Sequence, residues 1–356
     1  METRGIAGHG GDRVGSIDTL RGVIMVIMAV DHVSVFVSHQ HSFEFWTGAI
    51  TRYTSTLAFL TRFVTHLCAP GFFFLMGAGI AMLSQSRTNP GWYLAKRGLL
   101  LLAVNQVLEN PALMLGIAFQ VGEGVTSGSG SPSPLMFGVL SGLGMSMLLG
   151  SLLIRFRSGV WLIASAAALL ATNLIIPMLD PKSGYQLFER LLLIPGASGQ
   201  AIVAYPVLPW FPLVGLGVVF GRRLREDTAA TMRAVPWVGL LLLAAAVALR
   251  AAGGFGNIQL PRDGSWIEFL NFVKYPPPLV FVLFTLGANL ILLSGLAKVE
   301  GAAAEILRVY GRTPLCYYLA HLYLYALVGA AFFQHAAPMS WTYAIWIAGL
   351  LPLYFI

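Results

Sequence analysis

Long apolar runs, separated by short polar stretches, dominate the chain from residue 18 onward. One helical crossing of a hydrocarbon core about 30 Å thick takes ~20 mostly apolar residues, each rising 1.5 Å. Ten segments meet that requirement: residues 18–38, 67–85, 94–118, 135–154, 159–178, 201–221, 234–252, 277–297, 314–333 and 340–356. The pattern predicts an all-α fold, a polytopic transmembrane helical bundle of about 10 spans. The last segment reaches the end of the sequence at LLPLYFI with no polar tail, and it reads as a helix truncated at residue 356. Residues 120–133 (QVGEGVTSGSGSPS), 179–200 and 253–266 carry Gly, Pro, Ser and Asp and read as polar loops. No internal repeat stands out.

Composition removes the competing classes. The 356 residues are 57% hydrophobic and only 10% charged, with a mean hydropathy of +0.75. Soluble domains carry roughly 25% charged residues, so neither a soluble globular enzyme nor a disordered chain fits. The net charge of +7 comes from few residues of either sign and is no nucleic-acid footprint. Residues 1–15 are polar and Gly-rich and read as a flexible cytoplasmic N-terminus. No small-residue cleavage site closes the first apolar run, so it reads as a retained span rather than a signal peptide. With the N-terminus inside, 15 of the 22 Lys and Arg residues fall on inner segments, the GRRLR cluster among them. The positive-inside rule then gives a cytoplasmic N-terminus. Cys68 and Cys316 read as small buried hydrophobes, not as a disulfide.

Polar residues inside the spans are costly and mark the candidate chemistry. The first span holds Asp31 and His32, with His32 eleven residues beyond Arg21 and past the midplane. Either the pair holds helices together, or His32 is a base or nucleophile in a cavity. Arg62 and His66 share a helix face at the outer start of the second span, and Pro70-Gly71 predicts a kink just after them. Asn105 and Glu109 point the same way in the third span. Lys274 and Tyr275 precede three prolines at a sharp helix start, and His321 lies in a Tyr-rich helix opened by Arg312, beside Tyr318. No dinucleotide, P-loop, HExxH or GxSxG pattern appears in its required context, and no metal is expected.

These residues sit in recognisable motifs. SIDTLRG with the following DH, THLCAPGF, KYPPP and GRTPLCYYLAH resemble, in order, the catalytic domain of heparan-alpha-glucosaminide N-acetyltransferase and its bacterial relatives. The resemblance spans residues 16 to 333 and implies a single transmembrane acyltransferase-like domain over 1–356, in the cell inner membrane. It implies that acetyl-CoA is the cytoplasmic co-substrate and that an amine or hydroxyl of a sugar or glycan accepts on the far side. Related acyltransferases of surface polysaccharides have a histidine eleven residues after an arginine, the spacing of Arg21 and His32. In the lysosomal enzyme the reactive histidine falls nearer His39 or His41. His32 with Asp31 is therefore the leading catalytic candidate, with His41, His66 and Glu109 as alternates.

In that scheme Arg21, Lys96, Arg97 and Arg312 are candidates for the phosphates of CoA. Arg62 or Glu109 would orient the imidazole, and Asn105, Tyr318 or Lys274 would hold the thioester oxyanion. Tyr275 and His321 complete the candidate substrate contacts. The alternative is a proton-coupled transporter or flippase, in which the same Asp, His and Glu relay protons. Small-residue faces at Gly138, Gly142 and Gly144, and at Gly215, Gly217 and Gly221, permit close helix contacts within the chain or in a homodimer.

Overall fold

Each predicted span folds as helix because an apolar segment can satisfy its backbone polar groups internally. The computed structural model describes residues 15–40, 44–48, 51–53, 55–84, 86–118, 120 and 135–356. Nearly all of the predicted loop 120–133, and the N-terminus through residue 14, lie outside them.

The first crossing, α1 (Gly15–Val37), starts with Asp18 in its first turn, where a carboxylate complements the helix dipole. The second is made of α2 (Thr56–Thr65) and α3 (Cys68–Leu83), broken at His66–Leu67. Pro70 explains the break: it has no N–H for the carbonyl of His66. The helix resumes with Gly71 N–H on the Leu67 carbonyl at 3.0 Å. The kink expected at Pro70-Gly71 therefore lies upstream, and helix begins at residue 56 rather than 67.

The third crossing joins α4 (Pro90–Val104) to α5 (Asn110–Ala118) through a wide π turn, Asn105–Glu109. Pro111 deprives residue 107 of its hydrogen-bond donor, and one extra residue is absorbed there. The remaining helices are α6 (Val139–Leu153), α7 (Ser158–Ile175), α8 (Leu187–Leu192), α9 (Val207–Glu226), α10 (Thr228–Ala252), α11 (Trp266–Leu270), α12 (Leu279–Leu296), α13 (Ala302–Arg312), α14 (Pro314–Phe332) and α15 (Met339–Leu353). Eight helical segments among the described residues are long and apolar enough to cross a membrane. The shorter apolar helices α6 and α15 occupy the other two predicted segments. Leu99, Leu100, Ile163, Leu241 and Leu351 are exposed on the bundle, as residues facing lipid tails are.

Three elements depart from the sequence expectation. Residues 135–137 and 201–203, read as helix starts, are strands β1 (Leu135–Phe137) and β3 (Ala201–Val203), which pair in parallel. Strand β2 (Gly196–Ser198) adds antiparallel to β3, within a stretch read as plain loop. Pro276, Pro277 and Pro278 precede α12 rather than filling its first turn, and Asn173 of α7 caps it from outside by accepting from Leu279 N–H at 3.0 Å. Cys316 is exposed rather than buried, while Cys68 is buried.

The amphipathic helix α13 was not expected, because only one face of it is apolar. It crosses α1 where Gly22 meets Gly311: a Cβ on Gly22 would lie 1.8 Å from the Leu307 carbonyl oxygen. Backbone cannot yield there as a flexible side chain can. Gly22→Ala is therefore expected to destabilise the protein by about 1–3 kcal/mol or more, read as a lower thermal midpoint in detergent, whereas Gly79→Ala, which meets nothing within 4 Å, should be neutral. The small-residue faces foreseen from sequence are used inside the chain. Gly144 approaches the Gly98 carbonyl, and Gly217 approaches that of Phe74.

At the end of the bundle opposite Arg21, the connections knit into a cap. Trp46 N–H bonds the Tyr275 carbonyl at 2.9 Å, and the N–H groups of Lys274 and Tyr275 both bond the Glu44 carbonyl. Arg250, at the end of α10, donates to the carbonyls of Gln259, Glu268, Phe269 and Asn271 and to the Asn257 side chain. Beside it, Arg262 forms a bidentate pair with Glu268 and holds that carboxyl below its ordinary range.

Candidate active site

The histidines of α1 and α14 meet. His32 Nδ1 lies 2.7 Å from His321 Nε2, and the rings stack with centroids 4.9 Å apart. His321 Nδ1 is 2.9 Å from the carbonyl oxygen of Tyr317, one turn earlier on α14. A carbonyl can only accept, so Nδ1 of His321 carries a proton. With both rings neutral, His321 Nε2 then accepts from His32 Nδ1–H. That leaves His32 Nε2 as an unprotonated lone pair on a ring that lines a cavity. His321 is wholly buried, packed among Tyr317, Tyr318 and Tyr325. The imidazole is thus oriented by another imidazole, not by Asp31, Glu109 or Arg62.

Asp31 is held elsewhere. Arg62 donates through Nη1 to Asp31 Oδ1 at 2.7 Å, and through Nε and Nη2 to both carboxylate oxygens of Glu44, each at 2.7 Å. Thr65 adds a bond to Asp31 at 3.1 Å. Arg62 is only 7% exposed, so it is a buried hub rather than a side chain reaching the membrane surface. Glu44 was missed. The one sign in the sequence is a carboxylate set among aromatics in HSFEFW, in a segment too short and irregular to assign. Burial pushes its carboxyl up, but the charge and hydrogen bonds of Arg62 outweigh that and hold it well below the usual carboxylate range. His66 Nε2 sits 3.5 Å from Glu44, and His66 is buried behind the hub.

Glu109 accepts four hydrogen bonds, from Tyr318 Oη at 2.8 Å, Asn105 Nδ2 at 2.7 Å and the backbone N–H groups of Val139 and Leu140 at 3.2 and 3.3 Å. The last two are orphan donors at the N-terminus of α6, where a carboxylate is favoured. The wide turn before Pro111 aims Glu109 there, and a Cβ on Gly138 would lie 2.3 Å from its Oε1. Glu109 is therefore a clamp joining three helices.

Three cavities follow one another past His32. The central one, about 90 Å³, is bordered by Asp31, His32, Glu109, Lys274, Tyr275 and Tyr318. Toward the cap it shares Asp31 with a polar cavity of about 390 Å³ lined by Ser34, His39, Gln40, Arg52, Tyr53 and Arg62. Toward the other end it shares Phe72, Val139 and Tyr318 with a mostly apolar cavity of about 290 Å³, which Arg21 and Arg97 border.

Two of the phosphate candidates fall outside this line. Lys96 lies over the Trp92 ring, and Arg312 pairs with Glu305 at 2.6 Å. His39 Nε2 lies 3.0 Å from the Phe333 carbonyl oxygen, which only accepts, so that nitrogen is the donor. His41 lies outside the described residues. Among the described residues no group of three His, Cys, Asp or Glu side chains is placed to hold a metal ion.

Comparison with known proteins gives a family. Residues 13–249 match the family described as heparan-alpha-glucosaminide N-acetyltransferase, catalytic. The matched segment contains His32, Arg62 and Glu109, whereas Lys274, Tyr318 and His321 lie beyond it. No curated protein matches the chain. Since the match covers more than half of the sequence, the chain belongs to the heparan-alpha-glucosaminide N-acetyltransferase catalytic family, a family of transmembrane acetyltransferases.

Proposed function

We propose that this protein moves an acetyl group from cytoplasmic acetyl-CoA to an amine or hydroxyl of a sugar on the opposite side of an inner membrane. The supporting observation is the position of His32 between two chemically unlike cavities. The apolar one suits a pantetheine arm, with Arg21 and Arg97 at its edge for phosphate charge. The polar one offers hydroxyls, an amide and guanidinium groups to a sugar. Basic residues gather at the Arg21 end, which supports a cytoplasmic position for that end by the positive-inside rule.

His32 Nε2 then serves as general base. It takes the proton from the acceptor as the new bond forms, and returns it to the departing thiolate. Cavities on both sides of His32 would let donor and acceptor meet there together, which favours direct transfer over an acylated enzyme. The central cavity, about 90 Å³, suits an acetyl-sized group. Orientation of His32 by a second histidine, rather than by a through-going chain of carboxylates, weighs against the proton-coupled transporter.

The test uses purified protein in sealed vesicles, with labelled acetyl-CoA offered at the Arg21 face and a panel of amino sugars and glycans enclosed at the other. Labelled acetyl on an enclosed sugar is the expected result. Movement of the sugar across the vesicle wall with no acetylation of any acceptor would overturn the reading.

A further inference from the structure

Among the described residues, every polar side chain around the central cavity has a protein partner except one. Tyr318 Oη and Asn105 Nδ2 both donate to Glu109. Thr65 donates to Asp31 and to the Arg62 carbonyl, and Cys68 Sγ–H points at the Ile24 carbonyl. The hydroxyls of Tyr205 and Tyr275 lie 3.2 Å apart and take each other as partners. His32 Nδ1 is spent on His321. Lys274 is 4% exposed, and its backbone is pinned by the Glu44 carbonyl. Its ammonium lies 5.3 Å from the centre of the Tyr275 ring and has no hydrogen-bond acceptor or ion-pair carboxylate among the described residues.

A buried cation without an acceptor is costly, and it is stabilised when negative charge arrives beside it. Of the three donors that sequence offered for an oxyanion, Asn105 and Tyr318 are thus committed to the Glu109 clamp. Lys274 alone keeps its N–H groups for the cavity that His32 borders.

We propose that Lys274 is a catalytic residue of the acyl transfer, holding the negative charge that develops on the acyl carbonyl oxygen. This rests on the transferase reading above. As the acceptor lone pair attacks the carbonyl carbon, the C=O π electrons move onto oxygen and are met by the ammonium. His32 Nε2 removes the acceptor proton. The C=O bond then re-forms, the C–S bond breaks, and the thiolate leaves as CoA-SH with the proton from His32. The products are the acetylated acceptor and CoA, and nothing else is consumed. Arg62 cannot take this role, since Asp31 and Glu44 occupy its guanidinium.

Steady-state acetylation by full-length protein tests the proposal. Lys274→Met keeps the bulk of the stem and removes the charge. It is expected to lower kcat about 10²–10³-fold while the KM of donor and acceptor changes little. Lys274→Arg should retain more activity than Lys274→Met. Lys274→Ala opens room for a small cation, so methylammonium should restore acetylation of the sugar in that variant and not in His32→Ala. This rescue is a readout that a merely structural lysine would not give. Activity of Lys274→Met near wild type, a loss confined to KM, or no rescue of Lys274→Ala would each overturn the oxyanion role and leave the transferase reading intact. Absence of acetyl transfer by wild type would instead overturn that reading itself.

Discussion

His32→Ala is expected to lower the rate of acetyl transfer about 10³-fold, the middle of the range contributed by a general base, with little change in protein yield or thermal midpoint. Among the described residues its ring makes one hydrogen bond, to His321, so removing it strips little from the packing. The same bond gives a second, graded result. His321→Leu removes the acceptor that fixes Nδ1–H on His32, and both ring nitrogens then compete for the proton. A loss of about 10²-fold is expected, within the scale of base catalysis. His321→Gln presents an amide oxygen that accepts from the same N–H, so it should recover part of the activity. Initial rates of labelled product, normalised to folded protein, measure all three. Equal loss in His321→Leu and His321→Gln would mean that ring packing, not tautomer choice, is what His321 supplies. Survival of activity in His32→Ala would remove His32 from the chemistry.

The sequence exposed the parts of this site that a span makes conspicuous. An apolar helix with Asp31-His32 in it, or with Glu109 before Pro111, advertises an expensive residue. Partnership was not legible. A span that begins at residue 67 leaves Arg62 outside it, and Thr56–Thr65 holds enough polar side chains to hide its continuity with α3. His32 and His321 are separated by 289 residues, and nothing in either helix pattern announces the other histidine as its partner. Glu44 shows in the sequence only as a carboxylate among aromatics, because its place depends on a backbone bridge to residues 274–275 that no local pattern announces. Lys274 lies in KYPPP, where an interfacial anchor is the simpler reading. Only that bridge and the commitment of its neighbours' donors turn it toward the cavity. The role of Gly22 shows the same limit: it is required by α13, a helix whose one-sided apolar pattern did not resemble a span.

Arg62→Met should be the most destabilising change at this site, by about 3–5 kcal/mol, because it leaves buried carboxylates without their cation. Asp31 and Glu44 would face each other across an apolar gap, and the bridge from residue 44 to 275 would lose its anchor. Removing the charges on the other side should compensate in part. Glu44→Gln added to Arg62→Met is expected to recover a substantial share of the loss, as paired removal does where single removal does not. Acid titration adds an independent reading through Glu44, which lies in the cap. Its folded carboxyl ionises well below its unfolded value of about 4.3. The stabilisation it supplies is therefore complete above about pH 4.3 and is lost as pH falls through the lower folded value. Wild type should hold its thermal midpoint on acidification to about pH 4, whereas Glu44→Gln, with no carboxyl to protonate, should lose less than wild type below it. A midpoint for Arg62→Met within a degree or two of wild type would show that water or lipid headgroups reach the pair and that the hub is not a dry one.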